Sequence, residues 1–183
     1  MPVPDFSPGE VLTAAAMDSI GLWKIAETSF TNAANPFING CFSSNYQNYV
    51  VKVLCNASTS QFLSFRVRSG TSTPETGAVY DRFGFEFTGG GAIASLLNAN
   101  QTSAYLADIT FAGNNQTASE LNFYAPNQTV PTIVNTHSWG SQTGAVFFPS
   151  YRIETSTAYT GIELLVSGGA TLTGTMRVYG YRN

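Results

Sequence analysis

The sequence predicts an all-β protein: an antiparallel, jelly-roll-like β-sandwich preceded by an extended N-terminal arm and one short helix. Three observations favour this class. From about residue 28 onward, apolar and polar residues alternate in short runs, which is the period-two pattern of half-buried strands. Gly, Asn, Ser and Pro separate these runs. No stretch between them is long enough for the helix of a βαβ unit.

Roughly eight to ten strands are expected from this pattern. In NYVVKVL, alternate residues from Tyr49 to Val53 share one face, and in FLSFRVRSG the arginines point outward while alternate apolar residues point inward. The same alternation in DRFGFEF places Phe83, Phe85 and Phe87 in positions that resemble a core-facing stripe. GIELLVSGG and LTGTMRVYGY are interpreted as the two strands of a hairpin.

The first residues differ in kind from the rest. MPVPDFSPG carries prolines and a glycine, which disfavour a helix and favour an extended arm. LTAAAMDSIGLW predicts a short helix over 14–20, with Thr13 as N-cap and Gly21 just past its end. Two helical turns are not stable alone, so arm and helix are expected to pack on another surface. The predicted domains are residues 1–27, the docking arm and helix, and residues 28–183, the sandwich.

Composition excludes several classes of partner. Charged residues make up 10% of the chain and the formal net charge is −3, so no basic field exists to hold phosphates. Nucleic acid and membrane are therefore not expected as partners. The start lacks the features of a secretory signal, which predicts synthesis in a cytoplasm. Cys41 and Cys55 are interpreted as reduced core residues, with a disulfide across a hairpin near residues 47–48 as the alternative.

Reactive groups are few, and no enzymatic activity is predicted. His137 is the single histidine, and its neighbour Ser138 points to the opposite strand face, so the two form no nucleophile and base pair. One histidine and two separated cysteines exclude a zinc site of ordinary spacing. No phosphate-binding motif is present. The sequence thus predicts no metal and no cofactor.

A glycoside hydrolase is the enzymatic alternative, because it would need only a pair of carboxylates. Nothing in the sequence brings two of them together, and Glu86 and Glu163 alternate with apolar residues as on a solvated strand face. The available carboxylates are Asp81, Glu86, Asp108, Glu120, Glu154 and Glu163.

Four aromatic residues lie near turns or opposite the apolar stripes. Exposed aromatic rings among neutral polar residues can stack on sugar rings, but they are also enriched at subunit interfaces. Both interpretations stay open for these candidate glycan-stacking residues, which are Tyr124, Trp139, Tyr179 and Tyr181.

The two ends of the chain resemble a known group of proteins. FSPGEVLTAAAMDSIGLW, from Phe6 to Trp23, is similar to the start of many small virion proteins of tailed bacteriophages. GTMRVYGYRN, from Gly174 to Asn183, is similar to their Gly-Tyr-Arg ending. Between the ends, segments such as FSSNYQNYVVKV fit the same plan only in pattern.

The resemblance implies a structural component of the virion surface: a tail fibre or appendage, or a capsid decoration protein. Such proteins often assemble as trimers and bind other virion proteins through the N-terminal segment, with the sandwich facing outward. The second hypothesis is a carbohydrate-binding module that recognises host surface glycans. Carried onto this chain, the particle-docking residues are Pro4, Phe6, Pro8, Leu12, Ile20 and Trp23.

Overall fold

A computed structural model describes residues 22–70, 73–110, 116–141 and 143–181, and it confirms the all-β sandwich. Within those ranges the chain forms fourteen strands and no helix. The predicted helix over 14–20 lies outside the described residues. The strands are β1 (Leu22–Ala33), β2 (Phe37–Ile38), β3 (Asn48–Ala57), β4 (Gln61–Ser69), β5 (Thr73–Pro74), β6 (Tyr80–Phe87), β7 (Ile93–Ser95), β8 (Asn98–Gln101), β9 (Ala104–Ile109), β10 (Thr117–Tyr124), β11 (Thr132–Trp139), β12 (Val146–Ile153), β13 (Gly161–Val166) and β14 (Leu172–Tyr181).

The strands form two sheets, and every described pairing is antiparallel. The nine-stranded sheet has the order β1-β14-β3-β10-β11-β12-β6-β7, with β8 also paired to β6. The five-stranded sheet has the order β2-β13-β4-β5, with β9 paired to β4. The large sheet thus supplies a broad face to solvent, and its other face meets the small sheet.

The core lies between the sheets and is built from alternate residues, as predicted for β3 and β4. Tyr49, Val51 and Val53 are buried on β3, and Leu63, Phe65 and Val67 are buried on β4. The ring of Phe65 meets two rings of the large sheet edge to face. The distance between ring centres is 5.6 Å to Phe123 and 5.8 Å to Tyr151. Such contacts stabilise the packing beyond the apolar area that they bury.

Strand β14 lies in the interior of the large sheet, between β1 and β3. It pairs with β3 continuously from Leu172 to Tyr181. At Gly174 a Cβ atom would lie 2.2 Å from the carbonyl oxygen of Leu54 on β3. A side chain at Gly174 would therefore push the two strands apart, and glycine permits their close approach.

The predicted hairpin of β13 and β14 is wrong. β13 pairs with β2 and β4 in the small sheet, whereas β14 pairs in the large sheet. Each strand already has a neighbour on both sides, so no edge remains for the two to pair with each other. Residues 167–171 instead carry the chain from one sheet to the other.

The phenylalanines of β6 face solvent rather than the core. Phe83, Phe85 and Phe87 are all classed as exposed, and Phe83 reaches 56%. The facing of β6 is set by Tyr80, which is fully buried and whose hydroxyl donates to the carbonyl of Glu75 at 3.1 Å. Since side chains alternate along a strand, a buried Tyr80 directs the three phenylalanines outward.

Glu163 and Arg68 are buried, so the sequence interpretation of both as solvated residues is wrong. Their side chains form an ion pair in the small sheet. Arg68 Nε also donates to Asn39 Oδ1 at 2.8 Å, and its guanidinium carbon lies 4.4 Å from the ring centre of Phe37. These contacts replace the water that both charges lose on burial.

Both cysteines are buried, as predicted, and neither forms a disulfide. The alternative of a disulfide across a hairpin is wrong, because β2, which ends before Cys41, belongs to the small sheet, whereas Cys55 lies on β3 in the large one. Loss of solvent raises the pKa of each thiol to about 12. The thiols of Cys41 and Cys55 therefore stay protonated and act as small apolar side chains.

The buried ion pair gives the first testable prediction. Replacing Glu163 by Gln leaves the Arg68 guanidinium without its counter-charge in the protein interior, which should destabilise the fold by about 3–5 kcal/mol. Urea denaturation of the purified protein measures this change.

The matched control is Glu120→Gln, because Glu120 pairs with Lys52 at 3.3 Å on the exposed sheet face. That substitution should change the free energy of unfolding by less than about 1 kcal/mol. Equal effects of the two substitutions would contradict the structural role of the buried pair.

Candidate interaction surface

The outer face of the large sheet carries the candidate site residues of this chain. On the strands of this sheet, the residues that do not enter the core point to solvent. They form three groups that share the face: a groove beside Trp139, a cluster of phenylalanines, and a set of tyrosines at the opposite end of the strands.

Trp139 stands at the end of β11, with 51% of its side chain exposed. Its neighbour across the strand pair on β10 is Ala118. Because alanine is small, the surface beside the indole ring forms a depression of about 370 Å³. His137, Glu120 and Arg177 lie around the same depression. The groove thus combines a flat aromatic ring with side chains that donate and accept hydrogen bonds.

A row of charged side chains crosses the face next to this groove. Glu27 accepts from Lys24 Nζ and from Arg177 Nε, both at 2.9 Å, and Glu120 pairs with Lys52 at 3.3 Å. The hydrogen bond from Lys24, and then that from Arg177, hold the pKa of the Glu27 carboxyl below its usual value. Exposed pairs of this kind add little stability, but they fix the orientation of the groups that border the groove.

The phenylalanine cluster, defined as Phe83, Phe85, Phe87 and Phe148, covers the part of the face formed by β6 and β12. The ring centre of Phe85 lies 5.5 Å from that of Phe87 and 5.4 Å from that of Phe148. The ring of His137 stacks on that of Phe148, with 4.7 Å between ring centres and an interplanar angle of 12°. This contact joins the cluster to the Trp139 groove. Contiguous exposed apolar surface on a protein is typical of a contact site.

The four predicted stacking residues share this outer face, but they do not form one platform. Tyr124 and Tyr181 flank Asn48, which pairs with both of them, and border a depression of about 290 Å³. Tyr179 lies next to them on β14 and is half-buried. Trp139 is opposite Ala118, six residues along β10 from Tyr124, which corresponds to about 20 Å. One sugar ring cannot contact both groups.

Of the predicted docking residues, only Trp23 is among those described. It lies in β1, within the range that the sequence assigns to the arm, so residues 22–27 form part of the sheet. Trp23 is opposite Gly180 and partly buried, and its indole Nε1 has no hydrogen-bond partner among the described residues. Pro4, Phe6, Pro8, Leu12 and Ile20 lie outside the described residues.

The candidate catalytic groups are separated or engaged. His137 is exposed and Ser138 is buried, as their alternation on β11 predicts. Within the described ranges, no three side chains of His, Cys, Asp or Glu converge where a metal ion could bind. Five of the six candidate carboxylates have local partners: Asp81 accepts from the backbone of Asn100, Asp108 from Tyr105, Glu120 from Lys52, Glu154 from Arg152 and Glu163 from Arg68.

Sequence reasoning missed the phenylalanine cluster, although one residue signals it. Gly84 sits in the middle of DRFGFEF, and a Cβ there would lie 2.5 Å from the carbonyl oxygen of Phe148 and 2.6 Å from Pro149 Cα. A glycine in a strand interior often marks a close backbone approach. Together with Pro149 on the neighbouring strand, Gly84 indicates that the large apolar side chains of β6 do not simply point into the core.

No protein-family model and no curated relative matches the sequence. Several solved structures resemble it at low sequence identity. The galectin LEC-6 of Caenorhabditis elegans aligns over 83% of this chain and 94% of its own at 14% identity, with a TM-score of 0.36. A double mutant of congerin II aligns over 78% and 98% at 14% identity, with a TM-score of 0.32.

The metal-free exoplasmic/lumenal domain of VIP36 aligns over 82% of this chain and 77% of its own at 10% identity, with a TM-score of 0.34. At these scores the alignments carry no argument about what this chain binds. Among the described residues, no helix has the length and apolarity that crossing a membrane requires.

The facing of β6 gives the second prediction. Phe85→Ala removes a ring that is 42% exposed, so it should lower the free energy of unfolding by no more than about 1 kcal/mol. Phe65→Ala removes a fully buried ring and should lower it by about 3–5 kcal/mol. Chemical denaturation of both variants measures the difference. Similar losses of unfolding free energy in the two variants would place Phe85 in the core and contradict the outward orientation of the β6 phenylalanines.

Proposed function

We propose that this chain is a non-enzymatic structural protein of a tailed-phage virion. Its N-terminal arm binds other virion proteins, and its sandwich is displayed on the particle surface as part of a tail fibre, an appendage or a capsid decoration, in a homotrimer. The resemblance of both chain ends to virion proteins suggests this role. The observation that carries the proposal is the pairing of β1 with β14, the first and last described strands, in one sheet.

The described residues of the two segments that carry the resemblance are neighbours in space. Trp23 pairs with Gly180 and Leu22 with Tyr181, so β1 and β14 meet at one corner of the large sheet. β1 is also an edge strand. At this corner β1 begins with Leu22, which is the first described residue. This placement supports attachment of the sandwich to the particle through the segment that precedes β1.

The outer face supports a role in contacts rather than in catalysis. The phenylalanine cluster and the Trp139 groove expose apolar rings on a flat sheet, which is the kind of surface that a subunit or particle contact covers. Five of the six candidate carboxylates are engaged by neighbouring donors. Both features agree with an assembly role.

Removal of residues 1–21 tests the anchoring role. Because β1 begins at Leu22, the shortened chain should keep the sandwich and its cooperative unfolding. Purified phage particles assembled with the shortened chain should lose labelling by an antibody raised against the sandwich, whereas particles with the full chain should keep it. Electron microscopy of labelled particles provides the measurement. Equal labelling of both kinds of particle would contradict the anchoring role.

A second candidate function is recognition of a host surface glycan at the Trp139 groove. The observation that favours it is an exposed indole ring beside His137, Glu120 and Arg177, since sugars offer an apolar ring face and hydroxyl groups together. This function is compatible with the first in a receptor-binding fibre.

A glycan array followed by substitution of Trp139 tests this second candidate. Trp139→Ala should reduce binding by about tenfold, the equivalent of 1.4 kcal/mol of lost ring contact. Trp139→Phe is the matched control and should retain most of the binding, because it keeps an aromatic face. Half of the Trp139 side chain is already exposed, so the fold should tolerate both changes. Undiminished binding by Trp139→Ala would remove this candidate.

A further inference from the structure

A third depression, separate from the outer face, lies at the margin between the two sheets. It has a volume of about 370 Å³ and is lined by Phe62 of β4, Arg82 of β6, Asn98 and Gln101 of β8, and Tyr105 of β9. Tyr151 of β12 and three serine residues complete the lining. Arg82 and the exposed Phe83 lie on opposite faces of β6, so this inter-sheet pocket and the phenylalanine cluster are distinct surfaces.

The polar side of the pocket combines amides, hydroxyls and one guanidinium. The amide of Asn98, in the orientation that satisfies both of its atoms, accepts from Arg82 Nη2 at 2.8 Å and donates to the carbonyl of Leu97 at 2.8 Å. The guanidinium carbon of Arg82 lies 5.3 Å from the ring centre of Tyr105. Arg82 is thus held in place by its neighbours, with its side chain only partly covered.

The apolar side of the pocket is the ring of Phe62, which is 56% exposed. It meets Tyr105 edge to face, with 5.9 Å between ring centres and an interplanar angle of 67°. This contact holds an aromatic face at the rim, where solvent covers more than half of the side chain. A large ring left exposed beside a polar depression has no role in the core.

The rim is ordered by hydrogen bonds that do not depend on a ligand. The backbone of Asn100 donates to Asp81 Oδ1 at 2.8 Å, which ties β8 to β6. On the opposite side, the backbone nitrogen of Phe62 donates to Ser167 Oγ at 3.1 Å, and Ser167 Oγ donates to Gln61 Oε1 at 2.7 Å. A pocket fixed in this way binds with less loss of side-chain freedom.

We propose that this inter-sheet pocket binds a neutral hexopyranose unit of a glycan. Serine hydroxyls and the amides of Asn98 and Gln101 can both donate and accept, which matches the hydroxyl groups of a sugar. The ring of Phe62 offers a face for the C–H groups of the pyranose. Arg82 is the one cation among the described residues of the lining, and neutral groups border it. Asp108, which accepts a hydrogen bond from Tyr105, lies nearby. The pocket is therefore not strongly positive, as a site for an acidic sugar would be.

The proposal is independent of particle attachment and of the Trp139 groove. The full-length protein is titrated with the methyl glycosides of glucose, galactose and mannose by ligand-observed NMR, and then applied to a glycan array with neutral and acidic glycans. Binding to at least one neutral hexopyranoside is expected. It should change by less than roughly twofold between about 0.05 and 0.5 M NaCl, because neutral ligands are not screened by salt.

Variants assign the binding to this pocket. Phe62→Ala should weaken it by about tenfold, and Phe62→Trp should restore it. Ile93→Ala, which alters an exposed residue outside the pocket, should leave it unchanged. Three results would each overturn the proposal: no binding to any neutral hexopyranoside, binding confined to acidic glycans, or binding that persists in Phe62→Ala. Loss of binding in Trp139→Ala alone would move the sugar to the other groove.

Discussion

The position of β14 between β1 and β3 is the constraint on which the rest of the sandwich depends. The close approach of β14 to β3 requires glycine at position 174, where any side chain would meet the backbone of Leu54. With β14 in place, Met176 and Val178 enter the core with no exposed surface. β1 can then close the edge of the sheet only by pairing with β14. The first and last described strands are thus fixed by one another.

The facing of β6 determines both surfaces on which binding is proposed. Tyr80 is fully buried, and this places Arg82 on the side of the small sheet and Phe83 and Phe85 on the side of solvent. The inward residue borders the inter-sheet pocket, and the outward ones form the phenylalanine cluster. One register therefore generates two unlike surfaces: a polar depression that contains one cation, and an apolar face. A shift by a single residue would exchange them.

Alternation in the sequence predicts that residues share a face, but not always which face is buried. For β3 and β4 the prediction is confirmed, because one side of each strand is apolar throughout, whereas the other side mixes polar and apolar residues. For β6 both sides carry groups that can be buried, so pattern alone cannot choose between Phe85 and Tyr80. The burial of Glu163 was also not predictable, since it depends on Arg68 from a strand distant in sequence. Pairing between strands that are distant in sequence is a property of the whole chain.

The low charge of the chain has a consequence for how its surfaces work. The charged row on the outer face is exposed, so added salt screens it and weakens what it contributes. Ring contacts by the phenylalanine cluster and hydrogen bonds in the inter-sheet pocket are not screened in this way. A protein whose binding depends on apolar rings and neutral polar groups can keep its contacts when ionic strength changes. This property suits a component displayed outside a cell, where the salt concentration is not controlled.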